Sequence, residues 1–485
     1  MIFNSIDFLI FFGIVFSIYF FVPQKSKWIF LLAASYFFYA YWKIEYLALL
    51  IIPTILIYFI CLKIDKTQSQ LQRKLFLILG LISGLGFLIV YKYTDFLGGS
   101  LYSLAGLFIS NLKYHPLNLL LPIGISFYSF KLVSYLIDVY NEKIKPEKHV
   151  GYFALYTAFF PQLLMGPIDR AVNFIPELKK KINFDIERVL SGFRLIVWGL
   201  FKKMVIADRL AIFVNEIYRN PAHQGINLLF AAYFYAFQIY CDFSGYSDIA
   251  IGIARILGFK SMQNFDFPYF SKSLTQFWSK WHISLSTWLR DYLFLPIAYA
   301  VMRPIKTPTF YKIKAETWGY VVGMFITMFL GGLWHGPSWT LVIWGALHGI
   351  YLGVGYTTKK VRKKFVKMIK LNKFPVLRYG ISAFITFNLV SFAWIFFRAQ
   401  TLQEAFIYIK YIQLVFHGKG SAYLFFNLIM VIVFILLEVL YKNREKLPVL
   451  QRIPAVVKTV GFAFFICLII IFAVDTANEF IYLQF

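Results

Sequence analysis

Long apolar stretches separated by short polar segments run through the whole chain. The first part contains four such runs, at 8–22, 28–42, 45–62 and 75–93. Further runs recur to the end of the chain, and their lengths are typical of membrane segments. We therefore predict an all-α, polytopic integral membrane protein with roughly ten to thirteen membrane helices, some of them re-entrant or interfacial rather than spanning.

The first apolar run predicts the orientation of the chain. No basic residue precedes it and no small-residue cleavage site follows it, so we interpret it as a retained span rather than a signal peptide. Lys25 and Lys27 come directly after it. Because positive charges are enriched on the cytoplasmic side, we expect the N-terminus to lie outside.

No repeat and no long polar linker divides the chain, so we predict a single membrane domain over residues 1–485. Residues 1–117 have the simple pattern of peripheral N-terminal helices. Polar side chains inside apolar runs concentrate in 118–357, which we take as the catalytic core. Residues 358–485 close the chain with further helices.

Composition supports the membrane class and excludes a soluble enzyme, because 60% of the residues are hydrophobic and 15% are charged. The net charge of +26 would suggest nucleic acid binding in a soluble protein. Here the basic residues cluster in short loops, which predicts contact with anionic lipid headgroups and no nucleic acid partner. A minority of them suit an anionic substrate. The three cysteines have no metal-ligand spacing, and we predict no metal. The basic clusters lie at 63–74, 179–181, 303–314, 359–370 and 442–446.

A histidine inside an apolar region is the strongest candidate for chemistry. His335 lies in the stretch GGLWHGPSW, residues 331–339, with Trp334 before it and Ser338 after the proline. An ionisable side chain at membrane depth is costly and is a functional candidate by default. The glycines and the proline indicate an irregular backbone. A histidine satisfied by a neighbouring carbonyl fits this pattern equally well.

Two further apolar runs carry charged residues. Lys131 and Asp138 are seven residues apart in 120–140, so on a helix they share a stripe that must face protein or water. Asp242 and Asp248 lie in the run 238–259. Asp248 and Arg255 are also one stripe apart, and we favour their mutual neutralisation over a role for the carboxylates in orienting a catalytic base.

The stretch 277–296 combines a second histidine, His282, with aromatic and charged residues. Its pattern predicts a helix in the headgroup plane, with the neighbouring pair Arg290 and Asp291 on its polar side. A histidine beside an aromatic wall also suits a substrate passage, and we expect the passage to be lined, or its groups oriented, by Trp281, Arg290, Asp291, Trp334 and Ser338. One predicted helical stripe holds four large side chains: Trp281, Leu285, Trp288 and Tyr292.

Four ordered motifs in the chain resemble the membrane-bound O-acyltransferase (MBOAT) family. They are FFPQLLMGPIDR, QIYCDFSGYSDIAIG, FWSKWHISLSTWLRDYLFLP and FLGGLWHGPSWTLVIWGALHG. The likeness is strongest to the branch with the membrane subunit of alginate O-acetylation and the peptidoglycan O-acetyltransferases. It extends from the N-terminus to about residue 350 and is weaker beyond.

The resemblance implies a function and a site. The near-invariable histidine of the family corresponds to His335, and an upstream polar position corresponds to His282. In the family both face a central passage ringed by helices in the plasma membrane. The implied donor is cytoplasmic acetyl-coenzyme A, with no permanently bound cofactor, and an extracytoplasmic SGNH-like partner completes acetylation of a glycan.

The chemistry of acyl transfer assigns roles to these residues. Transfer from a thioester to a hydroxyl needs a base, and a histidine exchanges protons at neutral pH. We predict His335 as the general base and His282 as a positioning group, with Asp242 or Asp248 as possible orienters. A covalent intermediate on Ser338 or Ser286 is disfavoured, because a serine at a helix break usually caps the backbone.

Two other functions remain open from the sequence. One is D-alanyl transfer in teichoic acid synthesis, whose membrane subunit is also an MBOAT protein. The other is a transporter without chemistry, because broken helices and intramembrane charges would serve it equally well. The sequence does not identify the final polysaccharide.

Overall fold

Helices make up nearly all of the regular structure in the computed structural model. It describes residues 1–109, 113–221, 225–305, 309–310, 313–413, 421–443, 454–473 and 480–481. Parts of the basic clusters at 303–314 and 442–446 lie outside the described residues. Two residues on each side form the antiparallel pair β1 (Thr309–Phe310) and β2 (Ile313–Lys314).

The N-terminal half contains α1 Ile6–Tyr19, α2 Lys27–Ala40, α3 Glu45–Lys66, α4 Gln70–Ala105, α5 Ile125–Tyr140, α6 Val150–Ala158, α7 Phe160–Leu163, α8 Ala171–Lys179, α9 Ile186–Leu200, α10 Asp208–Arg219 and α11 Ile226–Ile256. The remainder contains α12 Leu274–Trp278, α13 Ile283–Leu289, α14 Leu295–Met302, α15 Ala315–His335, α16 Trp339–Thr357, α17 Lys359–Met368, α18 Pro375–Arg398, α19 Leu402–Tyr411, α20 Ser421–Asn443 and α21 Ala455–Phe472. Wider π-helical turns span Phe201–Ala207 and Arg290–Phe294, and single 3₁₀ turns span Gln24–Ser26, Pro268–Phe270 and Leu371–Lys373.

The predicted all-α, polytopic membrane class is confirmed. Five of the described helices are long and apolar enough to cross a membrane. The total of ten to thirteen membrane helices stays a prediction. The five candidate spans are Glu45–Lys66, Gln70–Ala105, Ala315–His335, Pro375–Arg398 and Tyr423–Asn443.

Some predicted connectors are helical. Helix α4 begins at Gln70 and continues to Ala105, so it covers part of the basic cluster 63–74, which the sequence places in a loop, and extends beyond the end of the apolar run 75–93. The Ser69 side chain caps it by accepting from the amide of Gln72, and no proline interrupts it. A polar residue does not end a helix unless it competes for backbone hydrogen bonds, which explains the difference.

The predicted single helix over 277–296 is wrong, because its backbone is broken at His282. This residue adopts a left-handed conformation with φ of 42° between α12 and α13. Trp281 therefore lies outside the helix that carries Leu285 and Trp288, although all three side chains are buried. Local backbone strain of this kind leaves no trace in a periodic pattern.

The described chain divides into two compact units, and the single domain stays a prediction. The first unit comprises Met1–Ile196 and Ser247–Met262. Within it, α4 and α5 pack closely at Gly80, where a Cβ atom would lie 2.5 Å from the Leu136 side chain. A small residue lets two helices approach closely, and van der Waals packing of this kind drives helix association in lipid, where the hydrophobic effect does not.

A buried polar network in the first unit confirms that the Lys131 stripe faces protein. Lys131 and Asp138 are 2% and 7% exposed. The ammonium of Lys131 donates to the Gln162 side chain at 2.8 Å, and Gln162 donates to Asp169 at 2.6 Å. The other oxygen of Asp169 accepts from the amide of Met262. Asp169, in the motif FFPQLLMGPIDR, thereby links Lys131 on α5 through Gln162 to the backbone that follows α11.

The second unit contains Val197–Tyr246 and Gln263–Ile481, and its centre is the antiparallel pair α15 and α16. Their backbones touch at Gly332 and Gly345, where a Cβ atom on either glycine would lie 2.3 Å from a carbonyl oxygen of the other helix. Only glycine fits this contact. It fixes the last turn of α15, and that turn ends at His335.

Candidate active site

His335 is the last residue of α15 and is 4% exposed. Gly336 follows in an extended conformation, so the helix stops there and the backbone turns into α16. This confirms the irregular backbone expected around the proline, although the glycines before His335 remain helical. The carbonyl end of a helix favours positive charge. That environment suits an imidazole that gains a proton during a reaction.

Aromatic rings surround the His335 imidazole. The ring centroid of Trp334 lies 4.9 Å away, that of Trp344 on α16 lies 5.0 Å away, and that of Phe397 on α18 lies 5.3 Å away. These rings exclude bulk water, which strengthens electrostatic interactions around the imidazole.

His282 is fully buried at the strained turn before α13. The turn is held by Asn264, whose backbone carbonyl accepts from the Ile283 amide and whose side-chain oxygen accepts from Ser284. His282 lies outside the five candidate spans, and burial lowers its pKa to about 3. It is therefore a neutral imidazole at physiological pH.

Trp334 connects the two predicted histidines. Its ring centroid lies 6.2 Å from that of His282 and 4.9 Å from that of His335. Phe243, directly after Asp242 on α11, lies 4.6 Å from His282 on another side. The structure thus brings His282, Trp334 and His335 into one cluster, which we call the histidine cluster.

Asp242 belongs to a second buried group, which we call the charge cluster. Lys203 lies 2.7 Å from one oxygen of Asp242 and 2.9 Å from Asp208. The other oxygen of Asp242 accepts from the amide of Ile481 at 2.9 Å. Among the described residues, the partners of the Asp242 carboxylate are thus an ammonium and a backbone amide, and neither is an imidazole.

The remaining predicted site residues are not part of the histidine cluster. Asp248 belongs to the first unit. Arg290 and Asp291 pair with each other at 2.8 Å, and their side chains are 61% and 30% exposed. Trp281 is buried against Trp394, with 5.1 Å between ring centroids. Their roles as orienting or channel-lining groups stay predictions.

Both candidate serine nucleophiles are engaged with nearby backbone or side-chain groups. Ser338 caps α16, because its side chain accepts from the Thr340 amide and lies 2.8 Å from the Thr340 hydroxyl. Ser286 donates to the backbone carbonyl of Trp281. These are the local roles that the sequence favours for serine at a helix break.

Two buried charged residues, Lys203 and Asp208, were not predicted as part of the site from the sequence. Lys203 and Asp208 complete the charge cluster, and their signal was two opposite charges five residues apart beside an apolar run. His348 on α16 is fully buried and accepts from the indole of Trp278. Within the described part of the chain, no group of three His, Cys, Asp or Glu side chains is arranged to hold a metal ion. The absence of a metal stays a prediction.

Comparison with known proteins now adds to this geometry. The profile described as "MBOAT, membrane-bound O-acyltransferase family" matches residues 148–399. The chain is 36% identical over 412 residues to the "Probable alginate O-acetylase AlgI" of Pseudomonas aeruginosa, covering 84% of this chain and 73% of that protein.

Two other relatives are named for different functions. The "Peptidoglycan O-acetyltransferase" of Helicobacter pylori is 34% identical over 414 residues, covering 78% of this chain and 72% of that protein. The "Teichoic acid D-alanyltransferase" of Streptococcus thermophilus is 31% identical over 287 residues, covering 57% of this chain and 68% of that protein. The similarity to the O-acetylating relatives therefore extends over more of the chain.

Proposed function

Because the chain belongs to the membrane-bound O-acyltransferase family, we propose that it passes acetyl groups from cytoplasmic acetyl-coenzyme A across the membrane to an exported or cell-wall polysaccharide. The chain is an acyltransferase of a multi-pass membrane type. The names of its alginate- and peptidoglycan-acetylating relatives support acetyl as the group transferred.

The observation that carries the mechanism is the position of His335, buried among aromatic rings at the carbonyl end of α15. In the proposed reaction, His335 accepts the proton of the attacking hydroxyl as its oxygen forms a bond with the thioester carbonyl carbon. The carbon–sulfur bond then breaks, and the thiolate of coenzyme A takes the proton from His335. General base catalysis of this kind contributes about 10²- to 10⁴-fold to a rate.

His282 has a different role in this proposal. Its imidazole is neutral, buried and fixed by the turn that Asn264 holds. A neutral imidazole offers one donor and one acceptor in a set direction. His282 therefore orients the donor or the acceptor next to Trp334, and His335 moves the proton.

Transfer across the membrane implies a donor side, an acceptor side and a partner protein that acetylates the glycan. We place the chain in the cytoplasmic membrane with its N-terminus outside, from Lys25 and Lys27 after the first apolar run. A periplasmic or extracellular SGNH-like protein receives the acetyl group and esterifies the glycan. Alkaline phosphatase fused to the N-terminus should therefore be active. Fluorescence of green fluorescent protein fused to the same end would instead indicate the opposite orientation.

The decisive experiment measures acetyl transfer by the full-length protein in nanodiscs. With acetyl-labelled coenzyme A, we expect the wild-type protein to release or transfer label and His335→Ala to lose about 10²- to 10⁴-fold of the rate. His115→Ala, the same change at an exposed histidine, is the matched control and should retain activity. Full activity of a folded His335→Ala protein would refute the proposed base.

D-alanyl transfer is the second candidate, because the chain also matches a teichoic acid D-alanyltransferase. A deletion strain distinguishes the two, since it should lose ester-linked acetyl from its glycans and keep ester-linked alanine. Loss of alanine esters would favour the second candidate. Uptake of a substrate into liposomes without coenzyme A turnover would indicate a transporter.

A further inference from the structure

His348 lies in the middle of α16 and has a defined protonation pattern. Its side chain is fully buried. The indole Nε1–H of Trp278 donates to Nδ1 of His348 across 3.3 Å. An indole nitrogen is only a donor, so Nδ1 must be the acceptor. The neutral imidazole therefore carries its hydrogen on Nε2.

The Nε2–H of His348 is buried and has no hydrogen-bond partner among the described residues. The same holds for the indole Nε1–H of Trp344, one helical turn earlier on α16. Their ring centroids are 4.9 Å apart. Leaving a buried donor unsatisfied is costly, so two adjacent ones require an explanation.

The position of this pair suggests that explanation. Trp344 lies between the two histidines, because its ring centroid is 5.0 Å from that of His335 and 4.9 Å from that of His348. The remaining rings around His348, from Phe277 and Tyr351, are aromatic walls. Two fixed N–H donors beside a general base, in a site closed to water, have the composition of an oxyanion-binding site.

We propose that the Nε2–H of His348 and the Nε1–H of Trp344 bind the carbonyl oxygen of the acyl donor. When the acceptor hydroxyl adds to the carbonyl carbon, the π electrons of the carbonyl move onto this oxygen, and the two N–H groups stabilise the negative charge. The electrons return as the carbon–sulfur bond breaks. This inference rests on the proposed function, since it needs a thioester donor beside His335.

A pair of conservative substitutions separates this role from a structural one. His348→Gln places an amide near the Nε2 position, whereas His348→Asn places one near Nδ1, where it can still accept from Trp278. If Nε2–H binds the substrate, the Gln variant retains more activity than the Asn variant. If His348 serves only as the partner of Trp278, the order is reversed.

The measurement is steady-state transfer from acetyl-coenzyme A by the full-length protein in nanodiscs, with kcat and KM determined separately. Loss of one oxyanion donor lowers kcat about 10²- to 10³-fold. We expect this loss for His348→Asn and for Trp344→Phe, with little change in KM. Binding of S-ethyl-coenzyme A, a thioether without the carbonyl, should be the same in these variants as in the wild-type protein.

Trp278→Phe is the second line of test should the His348 variants fail to fold. This variant keeps an aromatic ring at position 278 but removes the hydrogen bond that fixes the tautomer of His348. We therefore expect kcat to fall, but less than in Trp344→Phe. Unchanged kcat in both tryptophan variants would overturn the donor pair while leaving the proposed function intact. A wild-type protein that neither binds nor turns over acetyl-coenzyme A would overturn both.

Discussion

The charge cluster and the histidine cluster are both buried within the second compact unit, yet their surroundings differ in kind. In the charge cluster, Lys203 lies within 3 Å of two carboxylates, Asp208 and Asp242. In the histidine cluster, the neighbours of His282 and His335 are mainly aromatic rings. The charge cluster pairs opposite charges, whereas the histidine cluster surrounds imidazoles with aromatic rings.

The difference follows from the cost of burial. Ions are stable in a low-dielectric interior only when they are paired and hydrogen-bonded, so a buried ion pair is fixed in place. An imidazole can be buried without charge and can still change its protonation state during a reaction. We therefore propose that the charge cluster serves folding and that the histidine cluster serves chemistry.

The largest effect should come from the histidine cluster. We expect His335→Ala to lose about 10²- to 10⁴-fold in transfer rate, and His282→Ala combined with it to lose little more, because groups that act together are not additive. Melting temperatures should stay close to wild type. A double variant whose losses multiply would show that the two histidines act independently.

Substitutions in the charge cluster should lower the stability of the protein. Lys203→Met leaves two buried carboxylates without their ammonium, and breaking such a pair costs about 3–5 kcal/mol of unfolding free energy. Thermal unfolding in detergent would measure the loss, with the exposed Lys363→Met on α17 as the matched control. The folded fraction of Lys203→Met should keep its turnover. Lost turnover at unchanged stability would move Lys203 into the chemistry.

Disrupting the contact between Gly332 and Gly345 should lower both stability and turnover. A Cβ atom on Gly345 would lie 2.3 Å from the Met328 carbonyl oxygen, so α15 and α16 must separate in Gly345→Ala. Overpacking of this kind costs about 1–3 kcal/mol and should also displace His335. Gly380→Ala on α18 is the control, because a Cβ atom there meets nothing within 4 Å. Equal behaviour of the two variants would exclude the contact as a support of the site.

The smallest effect is expected at Ser338. Replacing this N-cap by alanine should lower stability by about 1 kcal/mol and leave turnover within a few-fold of wild type. Chemical denaturation and acetyl transfer would measure the two quantities. A turnover loss of about 10²-fold or more in a stable Ser338→Ala protein would instead support a covalent intermediate.

The sequence was sufficient for the fold class, and it named two histidines that the fold brings into one cluster. Apolar runs predict helices because backbone polar groups must be satisfied internally in lipid. The cost of burying an ionisable group singled out His335, and the motif resemblance added His282. Both lie beside Trp334 in the structure.

Other features depend on distances that no local pattern contains. Lys203 and Asp242 are 39 residues apart, and Trp278 and His348 are 70 apart. The left-handed turn at His282 results from hydrogen bonds to Asn264, which interrupt the apparent stripe of 277–296. A periodic pattern reports which face is apolar, but it does not report where tertiary contacts bend the backbone.

The hydrogen bond from Ile481 to Asp242 also has a consequence for biosynthesis. Its two residues are 239 positions apart, and Phe480 beside it is fully buried with its ring 4.5 Å from the Lys203 ammonium. A ribosome delivers residue 242 long before residue 481. During that interval the carboxylate of Asp242 has its ammonium partner, Lys203, but not this amide, so the second unit can complete this contact only after residue 481 has been synthesised.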